Sequence, residues 1–148
     1  MPLWGYGGAA LALYEAFGVA GVLSAGTFSD WLGRQRVLFW VLLVAPVAIL
    51  IFVFSTGILK IIMLAITGFT VLSTTPVMLA IIQENAKEHP SAANGLFMMI
   101  SFAVRSIAVL LAGIIGDLAG LENMFIVSAV IGLTAIPFLL RLGIKLEN

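Results

Sequence analysis

Gly26-Thr27-Phe28-Ser29-Asp30-Trp31-Leu32-Gly33-Arg34-Gln35-Arg36 is the segment on which the fold turns. It sets two glycines, one acid and two arginines between two long apolar runs. Charged side chains need water, whereas the flanking residues are better solvated by lipid. The pattern predicts a tight hairpin at a membrane surface. A bilayer core takes about 20 residues of helix. On that ruler the apolar runs divide into five spans: 7–28, 37–54, 59–82, 95–116 and 123–140. The charged stretch 30–36, a turn at 55–57, a polar loop at 83–94 and a Gly/Asp turn at 116–120 separate them. Backbone polar groups in lipid must bond within their own segment. The expected fold class is therefore all-α, a membrane protein of five transmembrane helices.

Composition points the same way. The chain is 62% hydrophobic and 9% charged, with mean hydropathy +1.21, whereas a soluble domain carries about a quarter charged residues. Membrane lipid is the expected surrounding. Net charge is zero and no basic tract suits nucleic acid. Without cysteine there is no disulfide, thiol catalysis or thiolate metal site. His89 is the one histidine, which leaves no imidazole pair for a metal. No cofactor is expected.

Lysine and arginine placement sets the expected orientation. With the Asp30 hairpin in the cytoplasm, Arg34, Arg36, Lys87, Arg141 and Lys145 share that side, and Lys60 alone is opposite. The N-terminus is then outside and the C-terminus inside, in a cell (inner) membrane. Trp31 and Trp40 fall near the inner interface, Trp4 and Tyr6 near the outer one.

The hairpin has a second copy. Gly26-x-x-x-Asp30-x-x-Gly33 recurs 87 residues on as Gly113-x-x-x-Asp117-x-x-Gly120. Three spans separate the copies, which places them on opposite membrane faces. The inner copy continues into Arg34 and Arg36, the outer copy into Leu121-Glu122-Asn123. This is the mark of an inverted-topology repeat. The third span has no counterpart at the same offset, so the expected unit is a 3+3 bundle lacking its first helix. Residues 1–148 are accordingly expected to be part of a six-helix bundle, from a longer protein or a shortened gene. A natural five-span protein is the alternative.

The hairpin, with Gly26, Asp30, Gly33, Arg34 and Arg36, resembles the signature loop of the major facilitator superfamily. The resemblance covers nearly the whole chain and implies the eighth to twelfth spans, the C-terminal portion of such a transporter. Pro76, Gln83-Glu84 and Ala93-Asn94-Gly95-Leu96 resemble bacterial drug-efflux members of the fosmidomycin-resistance type. Trp31 and Gln35 stand where that family usually has basic residues. The resemblance implies that the loop locks an inner gate against the other, N-terminal half. The rival reading is a topology anchor.

The residues suggest roles of their own. Gly26 lets two helices approach, Gly33 permits the turn, and Asp30 suits a helix N-terminus. Glu15 and Arg105 fall near mid-membrane, where a lone charge costs at least about 2.5–3.5 kcal/mol. Glu15 is a candidate proton carrier, and Arg105 a fixed charge for an anionic substrate or for Glu15. A static buried pair is the alternative. Thr67, Thr70 and Thr74 share a helical face beside Pro76, either lining a substrate path or hydrogen-bonding between helices. Gly8, Ala12, Ala16, Ala20 and Ser24 form a small-residue stripe for a close-packed helix, one that the chain itself need not contain. Gln83 and Glu84 join the gate or form a solvated helix end, and Asn94 caps the fourth span.

The expected function is proton-coupled, small-molecule efflux by alternating access, as part of a longer transporter and with no enzymatic step. The alternative is a non-transporting membrane scaffold or an inactive transporter fragment. An intramembrane enzyme would need a catalytic cluster within the spans, and the spans carry none. Single cysteines placed at Asp30 and Asp117 in this cysteine-free chain should react with an impermeant maleimide from opposite compartments; labelling of both from one side would overturn the topology.

Overall fold

Gly33 alone makes the first corner. The computed structural model describes residues 4–141. Helix α1 (Trp4–Leu32) runs into Gly33, and α2 (Arg34–Phe54) begins at the next residue. Gly33 holds φ +88, a conformation side chains with a Cβ rarely adopt. Its carbonyl then accepts the Val37 amide at 3.1 Å, starting α2. Helix α3 (Gly57–Asn85) follows a two-residue link, and α4 (Pro90–Ala119) a four-residue one. Gly120, again at φ +88, leads directly into α5 (Leu121–Arg141). Among the described residues there is no strand, and all five helices are long and apolar enough to cross a membrane. Lys145 lies outside the described residues, as do the side chains of Trp4 and Tyr6.

The helices overrun their sequence-predicted ends. Asp30 belongs to the last turn of α1, not to a helix N-terminus, because the corner needs one glycine rather than a loop. The polar segment 83–94 shrinks to residues 86–89. Asn94 lies inside α4 rather than capping it, since Pro90 already serves as a preset first helical residue after His89. Pro46, Pro76 and Pro137 lie within uninterrupted helices.

Helix α3 is the centre. It packs most extensively on α1, then on α2, and lightly on α4; α2 also packs on α5, and α5 on α4. The α1–α3 crossing is made by glycines. A Cβ on Gly68 would meet the Tyr14 carbonyl, and one on Gly21 would meet the Phe69 carbonyl and Ser73 hydroxyl. Gly18 faces Gly68 and Leu72 in the same way. The packing face of α1 is thus Tyr14, Gly18, Gly21, Ala25 and Ser29. Gly8, Ala12, Ala16 and Ala20 are exposed, with Ser24 half-buried, so the small-residue stripe is uncovered among the described residues. Nor does Gly26 serve close approach: a Cβ there meets nothing within 4 Å.

The hydrophobic core gathers at the Arg34 end, where Ala25, Val37, Leu38, Val41 and Val77 pack with Leu42, Ile81 and Leu139. At the other end Phe52 of α2 meets Phe125 of α5 edge to face, 5.8 Å between ring centres. No residue of α4 is buried. Gly68→Leu should force α1 off α3, lowering the thermal midpoint in detergent by the equivalent of at least about 1–3 kcal/mol, while Gly26→Ala should stay within about 0.5 kcal/mol.

Candidate functional site

The corner at Gly33 aims Arg34 at two helix ends. Its Nη2 lies 3.3 Å from Asp30 Oδ1, one turn back across the corner. Its Nη1 lies 2.9 Å from Glu84 Oε1 in the last turn of α3. The same nitrogen donates to the Ala80 carbonyl at 3.0 Å. One guanidinium therefore ties α1, the start of α2 and the C-terminal end of α3. Its positive charge also suits the negative end of the α3 dipole. Arg34 is 27% exposed, against 63% for Asp30 and 57% for Glu84. Pairs this open to water are worth about 0–1 kcal/mol each, so the cluster is a latch rather than a major source of stability. Of the two candidates at the end of α3, Glu84 joins it, while Gln83 is exposed. Arg36 stands at the same corner, half-buried.

The second corner repeats the backbone without the latch. Gly120 matches Gly33 in φ, and the Met124 amide donates to the Gly120 carbonyl at 3.1 Å, as Val37 does to Gly33. Each of these residues lies 87 positions from its counterpart. Asp117 is exposed, and Leu121 occupies the place of Arg34. Gly113, like Gly26, has nothing near a built Cβ.

Glu15 and Arg105 come to similar depth. Along their helices they lie about 25 Å and about 22 Å from the Arg34 end. Both are exposed. Helices α1 and α4 do not pack on each other, and no ion pair joins the two residues among those described. A static buried pair is therefore not what holds them. Tyr14, half-buried against α3, nevertheless lies within electrostatic reach of both charges. The two charges thus stand at similar depth on helices that do not meet.

The threonine face turns inward. Thr67 and Thr70 are buried and Thr74 is half-buried. Their hydroxyls donate along α3, from Thr67 to Met63 at 2.8 Å, from Thr70 to Ile66 at 2.8 Å and from Thr74 to Thr70 at 3.2 Å. None bridges to another helix, which corrects the interhelical alternative: a threonine in a helix finds the carbonyl one turn back nearer than any neighbour. Thr67 also lines a cavity of about 700 Å³ at the end remote from Arg34, walled by α1, α2, α3 and α5. The buried core thus lies toward the Arg34 end, beside a smaller apolar hollow of about 310 Å³, and this cavity at the other. Among the described residues no His, Asp and Glu cluster could hold a metal ion.

A family model of the Major Facilitator Superfamily matches residues 5–146, nearly the whole chain. The chain belongs to the Major Facilitator Superfamily. Its members are transmembrane transporters, not enzymes, which agrees with five apolar helices and the Gly-Asp-Gly-Arg corner. No curated protein and no solved structure matched the chain. Within this superfamily member, the carbonyl of Ala80 and the glycine crossing were not visible as motifs. The pair Gly18 and Gly21, followed by Ala25 at helical spacing, was the available signal for the crossing.

Arg34→Ala should leave helix content and thermal midpoint nearly unchanged, within about 1 kcal/mol. It should also speed maleimide labelling of a cysteine placed at Gln83, by releasing the end of α3; an unchanged rate would mean that Arg34 latches nothing.

Proposed function

We propose that this chain works as the C-terminal portion of a proton-coupled efflux transporter operating by alternating access. One observation carries the reading: Glu15 and Arg105, opposite in charge, are both exposed near mid-depth on helices that do not touch. Bare charges there cost at least about 2.5–3.5 kcal/mol. They are affordable where they face water, a substrate or a second helical half. Glu15 then takes and releases the proton, and Arg105 supplies a permanent positive charge for an anionic group or for ionised Glu15. Thr67, Thr70 and Thr74 border the route, with Thr67 at the cavity wall.

The Arg34 latch supplies the gate. Its bonds are individually weak, so a modest competing interaction opens it, as a reversible gate requires. Asp30, Gly33, Arg34 and Arg36 form its inner side, and Gly113, Asp117 and Gly120 the mirror corner. The partner against which it closes is an N-terminal half, and the cargo is a small molecule. The membrane is the cell (inner) membrane, with the Arg34 corner cytoplasmic, the N-terminus outside and the C-terminus inside. That orientation keeps Arg34, Arg36, Lys87 and Arg141 on one side.

A non-transporting scaffold is the second reading, supported by the absence of any buried residue on α4. Coexpression with a complementing N-terminal segment, followed by drug accumulation at two external pH values, separates the two. Efflux should be restored and should depend on pH, and Glu15→Gln should abolish the pH dependence with expression unchanged. Restored efflux indifferent to Glu15→Gln would remove the proton role, and no efflux at all would favour the scaffold.

A further inference from the structure

The cavity remote from Arg34 has an uneven wall. Its surface is almost wholly apolar, with Ile61, Leu64 and Phe125 among the side chains that line it. The hydroxyls of Thr67 and Ser128 are already committed to the Met63 and Met124 carbonyls at 2.8 Å. The charged exception is Lys60, whose Nζ stands 4.9 Å from the centre of the Phe52 ring. No carboxylate pairs with it among the described residues.

Lys60 is also oddly placed. It sits in the first turns of α3, at the positive end of the helix dipole, where a cation is disfavoured. That first turn holds no acid, and Thr56 makes no side-chain cap bond. Uncapped amides and an ammonium therefore concentrate positive charge beside an apolar hollow. The other described arginines and lysines at helix ends, Arg34, Arg36, Lys87 and Arg141, are all at the opposite end of the bundle. The two halves of this wall together ask for an amphiphile with an anionic head.

We propose that the cavity binds a single-chain carboxylate amphiphile, a fatty acid. Its tail lies among Ile61, Leu64 and Phe125, and its carboxylate meets Lys60 and the exposed first-turn amides of α3. A volume of about 700 Å³ is in the range that encloses one drug-sized molecule, which favours one chain over a two-chain phospholipid. A cationic or neutral amphiphile of equal length leaves the ammonium unanswered. This site lies apart from the Arg34 latch and shares Thr67 with the proposed route, but its test reads binding rather than efflux and so stands or falls without the transport reading.

The test uses the purified full chain in a neutral maltoside detergent at pH 8, with native mass spectrometry as readout. Laurate, dodecanol and dodecyltrimethylammonium are titrated in turn. Laurate should bind one per chain, at least about tenfold tighter than the other two, the scale of one charge-assisted contact. Lys60→Gln should erase the preference, and Lys60→Arg should keep it. Ser128→Leu, which narrows the cavity, should weaken laurate and dodecanol alike, with circular dichroism confirming helix content. If that variant loses helix, the Lys60→Gln and Lys60→Arg pair still decides. Equal binding of laurate and dodecanol, or no effect of Lys60→Gln, would overturn the proposal. So would a co-purified phospholipid lost on Lys60→Gln, or a second copy of the chain released by Ser128→Leu.

Discussion

The contact between α1 and α3 governs the rest. Lipid tails are as apolar as leucine, so helices in a bilayer gain little from hiding apolar side chains from one another. What remains is dispersion at short range, which demands that backbones come close. Gly18, Gly21 and Gly68 provide that closeness, with carbonyls of Tyr14 and Phe69 standing where side chains would otherwise be. Once α3 is fixed against α1, its other flank receives α2, and α2 in turn carries α5. Ser73, Thr67 and Thr70 are buried in this arrangement because their hydroxyls are bonded within α3, making them small and almost apolar to their neighbours.

Two corners with one backbone and different side chains show how local chemistry separates the ends of the molecule. Gly33 and Gly120 share their φ and their hydrogen-bonded exit into the next helix. At one, an arginine follows and gathers Asp30, Glu84 and Ala80. At the other a leucine follows, and the acid is exposed with no ion pair among the described residues. The core lies beneath the first corner, whereas the cavity that Lys60 lines lies at the end of the second. The asymmetry is thus one of substitution at a single register position together with the packing behind it.

Much of the fold was legible because lipid imposes a simple code. Apolar length gave the five helices, and glycine beside charge gave the corners. The helix ends were misplaced because a polar residue was read as a helix breaker, although α1 continues through Asp30 and α3 through Glu84 until a glycine or the link at 86–89 stops them. The α1 packing face was harder. Gly8, Ala12, Ala16, Ala20 and Ser24 form the more regular stripe, but regularity of small residues says only which faces permit close approach, not which neighbour arrives. Gly18 and Gly21 occupy a rotated position around the same helix and are the ones α3 meets. Glu84 was visible as a candidate, but its bond to Arg34 depends on α3 ending beside the first corner, a long-range fact outside any local pattern. The depth of Glu15 and Arg105 followed from counting, while their separation required the packing order of the helices.

The links between helices divide the chain mechanically. A single glycine joins α1 to α2 and another joins α4 to α5, so neither pair has spare tether with which to slide. Each hairpin behaves like two rods on a pin, free to tilt about the joint but held in axial step. The longest tether is the four-residue strap between α3 and α4, and those two helices share only a light contact. Displacement across that strap has to break or carry with it the contact of α2 on α5, which is more extensive than that of α4 on α5, and Glu15 and Arg105 ride on opposite sides of the strap.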